Sequence, residues 1–269
     1  MRRIVIAVTA LVVLGTASAV YAATSNPINT YTAPMKFTPG KAGSKKKPSP
    51  TGFTQDITAN GTNGNRTAVT LDFLTKIYGL KVDGKDFPTC SLHKIATAKS
   101  DSGCPKGAKV ASGFITAALG STKDFSANAP GVQACDPKLD VWNGGQGKLT
   151  FFFVTDSTHV CLGGALTTGG TPPYPATYKN QGGFLVTNVP IPAAIDFPLG
   201  PGVLAGSLES EHLVWAKKTK KVKGKTVASV SSVACKGGKR PYSTAIKANL
   251  PTTNVTQTTT VSGSAKCSK

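Results

Sequence analysis

The amino-acid sequence predicts an all-β protein, an antiparallel β-sandwich of the jelly-roll or Greek-key type with one short helix and three disulfides. Three observations lead to this class. The chain is rich in Gly, Pro, Ser and Thr, and strong helix formers seldom recur on one face. Short segments with alternating apolar residues are separated by Gly, Pro and Asn clusters, as in sandwiches and barrels. Six cysteines follow an N-terminal leader, so disulfides are expected.

The leader, residues 1–22, has the layout of a secretory signal peptide. Arg2 and Arg3 precede a short apolar run at 4–15, and small residues follow. Cleavage is predicted after Ala22, with cleavage after Ala19 as the alternative. The run is too short to span a bilayer comfortably. We therefore expect a secreted protein, extracellular or associated with the cell wall, without a transmembrane anchor.

Residues 23–50 are predicted to form an N-terminal arm and a flexible linker before a single β-sandwich domain at 51–269. The arm contains a strand-like segment at 29–37 that could join the domain's sheet. The linker at 39–50 is rich in Lys, Pro and Gly, and such a composition favours a mobile loop because it buries little apolar surface. Phe53 and Ile57 alternate with polar residues, which predicts a strand at 51–59.

The middle of the chain predicts strands on both sides of the helix. Segment 68–82 is expected to form two strands separated by a bulge or kink. A helix is predicted over 90–100, where Leu92, Ile95 and Ala96 share one face. Further strands are predicted at 104–113, 114–119, 147–155, 159–166 and 183–189.

The C-terminal part predicts a long hairpin followed by one more core strand. The arms of the hairpin are 208–217 and 226–235, and Gly224 supplies the turn. The core strand is expected at 242–248. The Thr- and Ser-rich tail at 252–264 is expected to be loose until Cys267 ties it down.

The six cysteines are expected to pair sequentially, although the sequence alone allows other pairings. The expected disulfides are Cys90–Cys104, Cys135–Cys161 and Cys235–Cys267. The short helix between the first two cysteines lets the chain double back. The alternative is a zinc site, but structural zinc ligands are closely spaced, and no two cysteines here lie closer than 14 positions.

The charge of the chain predicts an anionic partner. The formal net charge is +19, and loss of Arg2 and Arg3 with the leader leaves 19 − 2 = +17. Six lysines crowd the predicted hairpin tip and are candidates for anion binding: Lys217, Lys218, Lys220, Lys221, Lys223 and Lys225. No aromatic residue is interleaved with them, so nucleic acid is not expected. The remaining partners are an anionic wall polymer or a lipid surface, and the alternative is a charged surface that only maintains solubility.

No common catalytic or cofactor motif occurs, and we expect neither a cofactor nor enzymatic activity. The candidate catalytic pair is Glu209 and Glu211, which would share one face of a strand and could act as acid and base in glycoside cleavage. The alternative is that both are exposed strand residues. Strict alternation also places Trp215 on the same face as the two glutamates. Trp215 is expected in the core, so a buried Trp215 and a catalytic glutamate pair on that face cannot both be correct.

No metal site is expected. Asp136, Asp140 and Asp156 could form a calcium site together with loop carbonyls, but their spacing is not that of an EF-hand loop. Ordinary turn and capping roles are the alternative.

Three short segments share a recognisable cysteine-containing pattern. They are Asp86-Phe-Pro-Thr-Cys-Ser91, Gly103-Cys-Pro-Lys-Gly-Ala-Lys-Val-Ala-Ser-Gly113 and Ser232-Val-Ala-Cys-Lys-Gly-Gly-Lys-Arg240. The pattern resembles a group of uncharacterised secreted actinobacterial proteins, in which a Phe-Pro-x-Cys, Cys-Pro and Val-Gly-x-Gly section precedes a Cys-x-x-Gly-Lys strand. This chain differs at Val110-Ala-Ser-Gly113 and at Arg240-Pro241, where an aromatic is common. The resemblance covers most of 68–245 and implies a compartment and a fold, without an activity.

Together these observations predict a secreted, non-catalytic binding or structural protein of the cell envelope or extracellular space, with an anionic polymer as its partner. The first alternative is an extracellular polysaccharide hydrolase that uses Glu209 and Glu211. The second is a cationic toxin or antimicrobial protein.

Overall fold

The computed structural model describes residues 26–161, 172–200 and 202–267. The predicted signal peptide and most of the strand predicted at 159–166 lie outside these ranges. The described part is mostly antiparallel β-structure, with 57% strand and 6% helix. The predicted all-β class is therefore confirmed.

The strands and helices have the following bounds. The N-terminal half contains β1 (Asn29–Thr32), β2 (Met35–Thr38), β3 (Ser49–Pro50), β4 (Gly52–Gly61), β5 (Val69–Tyr78), β6 (Leu80–Val82), α1 (Leu92–Ala98), β7 (Lys109–Ser121), β8 (Gln133–Cys135), β9 (Lys138–Gly145) and β10 (Lys148–Val154). The C-terminal half contains β11 (Tyr174–Gln181), β12 (Phe184–Pro190), α2 (Ala193–Asp196), β13 (Leu204–Trp215), β14 (Thr219–Val222), β15 (Lys225–Ala228), β16 (Val230–Ser232), β17 (Lys239–Leu250) and β18 (Val255–Lys266). A 3₁₀ turn at Lys106–Ala108 precedes β7.

Thirteen of the strands form one sheet, in the order β1-β4-β13-β7-β9-β10-β11-β12-β5-β17-β18, while β2 also pairs with β4 and β8 with β7. The two end strands, β1 and β18, contact each other, so the sheet is nearly closed. A sandwich or barrel-like all-β fold fits this arrangement. A small sheet β3-β16-β6 and the hairpin β14-β15 lie beside it.

The core fills the inside of the sheet with aromatic and branched side chains. Trp215 of β13 stacks on Phe53 of β4, with ring centroids 5.2 Å apart. Phe37 of β2 lies 5.7 Å from Phe53. Leu213 is buried beside Trp215, because alternate residues of a strand face the same side of its sheet. This face of β13 also carries the candidate site.

The helix and the disulfides follow the predictions. Ser91 caps α1 by accepting a hydrogen bond from the backbone N–H of Lys94 at 3.2 Å, and Ile95 is fully buried. The disulfides Cys90–Cys104, Cys135–Cys161 and Cys235–Cys267 are all present. The second short helix, α2, was not predicted. Segment 68–82 forms the two expected strands, β5 and β6, which break at Gly79 with a φ of 65°.

The predicted long hairpin is wrong. Segment 208–217 does not pair with 226–235, because β13 already lies between β4 and β7 and has no free edge. The lysine-rich residues form the short hairpin β14-β15 instead. Its turn is Lys223-Gly224, and both residues have positive φ angles, 48° and 76°.

The prediction of a loose C-terminal tail is also wrong. Strand β18 pairs with β17 along its whole length, from Val255 to Lys266. Thr is β-branched and therefore favours extended structure, and β17 offers it a long edge. The arm adds β1 and β2 to the edge of β4, and the backbone N–H of Ile28 donates to Gln257 Oε1 of β18 at 3.0 Å. Both termini of the described chain thus belong to the sheet.

Replacing Trp215 by alanine should destabilise the fold by about 3–5 kcal/mol, because it removes a buried aromatic and leaves a cavity beside Phe53. The matched control is Val214→Ala, whose side chain is 41% exposed on the other face; it should cost less than about 1 kcal/mol. Urea denaturation followed by far-ultraviolet circular dichroism measures both values. Equal losses for the two variants would contradict the assigned face of β13.

Candidate functional site

The described residues contain two candidate sites, an interior cavity with acidic side chains and an exposed groove with lysines. The cavity lies between the inner face of the sheet and the segment around α2, and it is partly open to solvent. Its walls are mostly apolar and include Phe73, Leu139 and Phe153. Asp196 and Glu211 also line it. A carboxyl group without a hydrogen-bond or ion-pair partner is unusual in an apolar cavity.

A β-bulge in β13 decides which glutamate enters the cavity. Leu208 pairs with Ala117 and Ser210 with Thr116, so Glu209 is an extra residue without a partner on β7. Glu209 is exposed and does not line the cavity, whereas Glu211 does. The structure therefore does not bring the predicted catalytic pair together. The prediction that both carboxyl groups share one face is wrong because the bulge interrupts the alternation.

The same β-bulge explains how Trp215 and Glu211 can face the interior while Glu209 does not. From Glu211 onward the strand alternates, so Glu211, Leu213 and Trp215 face the interior. His212 faces outward, where its ring stacks 5.2 Å from the exposed ring of Phe114. Trp215 is a core residue, as expected. The alternative that both glutamates are exposed strand residues is correct only for Glu209.

The carboxyl group of Glu211 has no hydrogen-bond or ion-pair partner among the described residues. Burial, and then the nearby charge of Asp56, raises its pKa to about 7. The side chain lies deep within the protein but keeps part of its surface accessible, because it borders the cavity.

Asp196 is the second acid of the cavity and was missed by the sequence analysis. It is the last residue of α2, its residue exposure is only 6%, and its carboxyl group has no partner among the described residues. Burial raises its pKa to about 8. Tyr174 is buried nearby, and its pKa is raised by burial and then by the charges of Glu211 and Asp196. The available signal was an Asp within the otherwise apolar segment 191–198.

The exposed groove consists of two adjoining hollows of about 730 and 860 Å³, which share Lys81 and Asn180. The lysines that line it, all exposed, are Lys45, Lys81, Lys85 and Lys179. Asp83 is the one acid among the described lining residues, and it lies 3.9 Å from Lys81. The groove therefore carries a positive charge.

Hydrogen bonds hold the walls of this groove in place. The Asn180 side chain accepts from the backbone N–H of Val82 at 3.3 Å and donates to its carbonyl at 3.2 Å. Asn143 donates to the carbonyls of Gly84 and Pro88 at 2.8 and 2.9 Å. Gly84 also packs so closely against Asn143 and Tyr178 that a Cβ has no room there. The backbone that carries Lys81 and Lys85 is thus fixed before any ligand binds.

The predicted anion-binding lysines divide into two kinds. Lys218 donates to the carbonyls of Lys106 and Lys109, and burial lowers its pKa; its ammonium group anchors the hairpin. The other five are exposed: Lys217, Lys220, Lys221, Lys223 and Lys225. Lys220 lies 5.5 Å from the ring centroid of Phe87, in the loop that also carries Lys85. The hairpin therefore adjoins the groove, whose lysines the sequence analysis missed because they come from three separate segments, around 45, at 81–85 and at 179.

Two of the three predicted calcium ligands, Asp156 and Asp140, form ion pairs with lysines. Asp156 accepts hydrogen bonds from Lys138 Nζ at 2.7 Å and from Thr158, and these donors hold its pKa well below the ordinary value. Asp140 pairs with Lys109. Within the described ranges, no three His, Cys, Asp or Glu side chains converge as a metal site would require.

Comparisons with known protein families, with curated proteins and with solved structures give no match to this chain. In the part of the chain that the structure describes, every helix is too short or too polar to cross a membrane. The site geometry is accordingly the basis for the functional argument.

Raising the pH from about 5 to about 8 should lower the free energy of unfolding. In the folded state Glu211 and Asp196 stay protonated up to pKa values of about 7 and about 8, whereas in the unfolded chain they ionise near pH 4. The folded state then holds more protons than the unfolded state across this range. Stability should fall by up to about 1.4 kcal/mol per pH unit for each carboxyl group. Urea denaturation at a series of pH values measures the slope.

The double variant Glu211→Gln with Asp196→Asn should remove most of this slope, because neither amide titrates. Glu209→Gln is the matched control and should leave most of it in place, since Glu209 is exposed. A double variant with the same slope as the unmodified protein would show that other groups cause the pH dependence.

Proposed function

We propose that this protein is a secreted, non-catalytic binding protein of the cell envelope that holds an anionic polymer along its lysine-lined groove. The observation that carries the proposal is a concave, rigid surface with four lysines and one acid among its described lining residues. Export by the predicted signal peptide places the protein where wall polymers with phosphate or carboxylate groups occur.

The shape of the groove favours a chain-like ligand. The two hollows are joined through Lys81 and Asn180, so a strand of polymer can lie across both. Lysine ammonium groups interact with anions as point charges and require no fixed orientation of the anion. A repeating polymer therefore suits this arrangement better than one small rigid anion.

The lysine-rich hairpin extends the same positive surface. Lys220 contacts the loop that carries Lys85, and β15 contacts β3, which directly follows Lys45 and its neighbouring lysines. Six lysines and no acid occur between 217 and 225. A polymer longer than the groove can continue onto the exposed lysines of this hairpin.

A lipid surface fits the described residues less well than a polymer. Membrane-surface binding combines basic residues with exposed apolar side chains that enter the lipid. The large apolar side chains that are exposed in the described part are Phe114, Val160, Leu199, Val203, Val214 and Val255, and none of them lines the groove. The lysines alone would hold a flat membrane only through its surface charge.

The hydrolase alternative needs Glu209 and Glu211 on opposite sides of one bound sugar. Glu211 borders the interior cavity and Glu209 is exposed outside it. The observations thus favour binding over this form of catalysis.

Replacing the groove lysines by glutamine should weaken polymer binding by about ten-fold or more at about 0.1 M salt, because each lost ammonium removes an ionic contact. The variant combines Lys45→Gln, Lys81→Gln, Lys85→Gln and Lys179→Gln. Poly(glycerol phosphate) and polygalacturonate serve as phosphate and carboxylate probes, and titration calorimetry at several salt concentrations measures affinity. The salt dependence should also become shallower in the variant.

A control with the same loss of charge separates the groove from the net charge of the protein. It combines four exposed lysines on other elements: Lys36→Gln, Lys94→Gln, Lys123→Gln and Lys247→Gln. This control should bind nearly as tightly as the unmodified protein. Equal weakening of both variants, or binding to phosphatidylglycerol vesicles but to neither polymer, would refute the groove as a polymer site.

A further inference from the structure

We propose that the interior cavity is a second binding site, which takes a small organic ammonium ion with an apolar body and pairs its nitrogen with the carboxylate of Glu211 or of Asp196. This site is separate from the lysine-lined groove, so neither proposal depends on the other. It concerns a cavity, partly open to solvent, that is lined by residues of β5, β7, β9, β10, β11, β13 and the segment around α2.

The first argument is the absence of a protein partner for two acids that line the cavity. Asp196 is 94% buried (exposure 6%), and Glu211 borders the same cavity. Among the described residues, neither carboxyl group accepts a hydrogen bond or forms an ion pair. Polar groups buried in proteins are nearly always paired, so both acids are available to an external donor.

The contrast with the buried arginine of the same region strengthens this argument. Arg66 is 6% exposed, and its guanidinium group donates to Ser207 Oγ and to the carbonyls of Ser121 and Asp124. Ser207 also lines the cavity. This buried cation is thus committed to neutral acceptors, and it leaves the two carboxyl groups uncompensated.

The lining selects the chemical class of the ligand. A positively charged donor forms a stronger hydrogen bond to a carboxylate than a neutral donor does, because charge-assisted hydrogen bonds are stronger than neutral ones. A bare metal ion would need more oxygen ligands than two carboxyl groups and the phenol of Tyr174. The remaining wall, with Phe73, Leu139 and Phe153, suits an alkyl or similar apolar body.

Exposed apolar side chains lie in the segment after α2, next to the cavity. Pro198 lines the cavity, and the adjacent Leu199 is 60% exposed. Val203, at the start of β13, is 57% exposed. These exposed apolar side chains lie in the stretch of chain that leads from the surface to Asp196. An amphipathic amine can contact them before its nitrogen reaches the carboxyl groups.

The test uses the mature protein and three probes of nearly equal shape: n-hexylamine, 1-hexanol and hexanoate. Titration calorimetry near pH 8 should show binding of n-hexylamine, with 1-hexanol and hexanoate at least about ten-fold weaker, because only the ammonium pairs with the carboxylates. Repeating the titration in buffers of different ionisation enthalpy should show protons released on binding. The release is expected because the ammonium favours the ionised acids.

Two glutamates on one strand provide the matched variants. Glu211→Gln should weaken n-hexylamine binding by about ten-fold or more and reduce the proton release, whereas Glu209→Gln should change neither. Asp196→Asn tests the second acid independently, so the proposal stays testable if one variant does not fold. Thermal unfolding checks the fold of each variant.

Three results would overturn the proposal: no binding of n-hexylamine, binding of 1-hexanol as tight as that of n-hexylamine, or unchanged amine binding in both Glu211→Gln and Asp196→Asn. The variant without the four groove lysines should bind n-hexylamine normally. A loss of polymer binding with retained amine binding would therefore separate the two sites.

Discussion

Near-closure of one antiparallel sheet around an apolar interior is the constraint on which the rest of the structure depends. The end strands β1 and β18 meet, and the Cys235–Cys267 disulfide ties the end of β18 to the segment before β17. A sheet of this size encloses more space than its side chains fill. Aromatic stacking of Phe37, Phe53 and Trp215 closes one region, and the cavity remains in another.

The bulge at Glu209 shows that one extra residue can change which side of the sheet the following side chains face. Without the extra residue, Glu209 and Glu211 would face the same side, as in any regular strand. With it, Glu211 stays in phase with Leu213 and Trp215, while Glu209 is exposed. The inner glutamate then lies where burial raises its pKa. A local backbone irregularity thereby determines which acid can bind an interior ligand.

The charges of the protein are divided between its inside and its outside. Glu211 and Asp196 border the cavity, whereas the lysines of the groove and of the β14-β15 hairpin are exposed, with the exception of the anchoring Lys218. An excess of positive charge on the surface destabilises the fold only slightly, because water and salt screen the repulsion between the charges. The two interior acids have no such screening, so their protonation depends on pH and on any ligand. The two proposed sites therefore differ in sign and in solvent exposure.

The sequence by itself determined the all-β class and helix α1, because strand alternation and helix periodicity are local properties. It favoured the sequential cysteine pairing that the structure contains, while other pairings remained open until the tertiary structure was known. It did not determine that β13 lies between β4 and β7, that the Thr-rich tail forms β18, or that Lys45, Lys81, Lys85 and Lys179 share one groove. These depend on contacts between distant segments. Only the tertiary structure decided that Glu211 and Asp196 meet at one cavity, since a bulge and the position of α2 leave no periodic signal in the sequence.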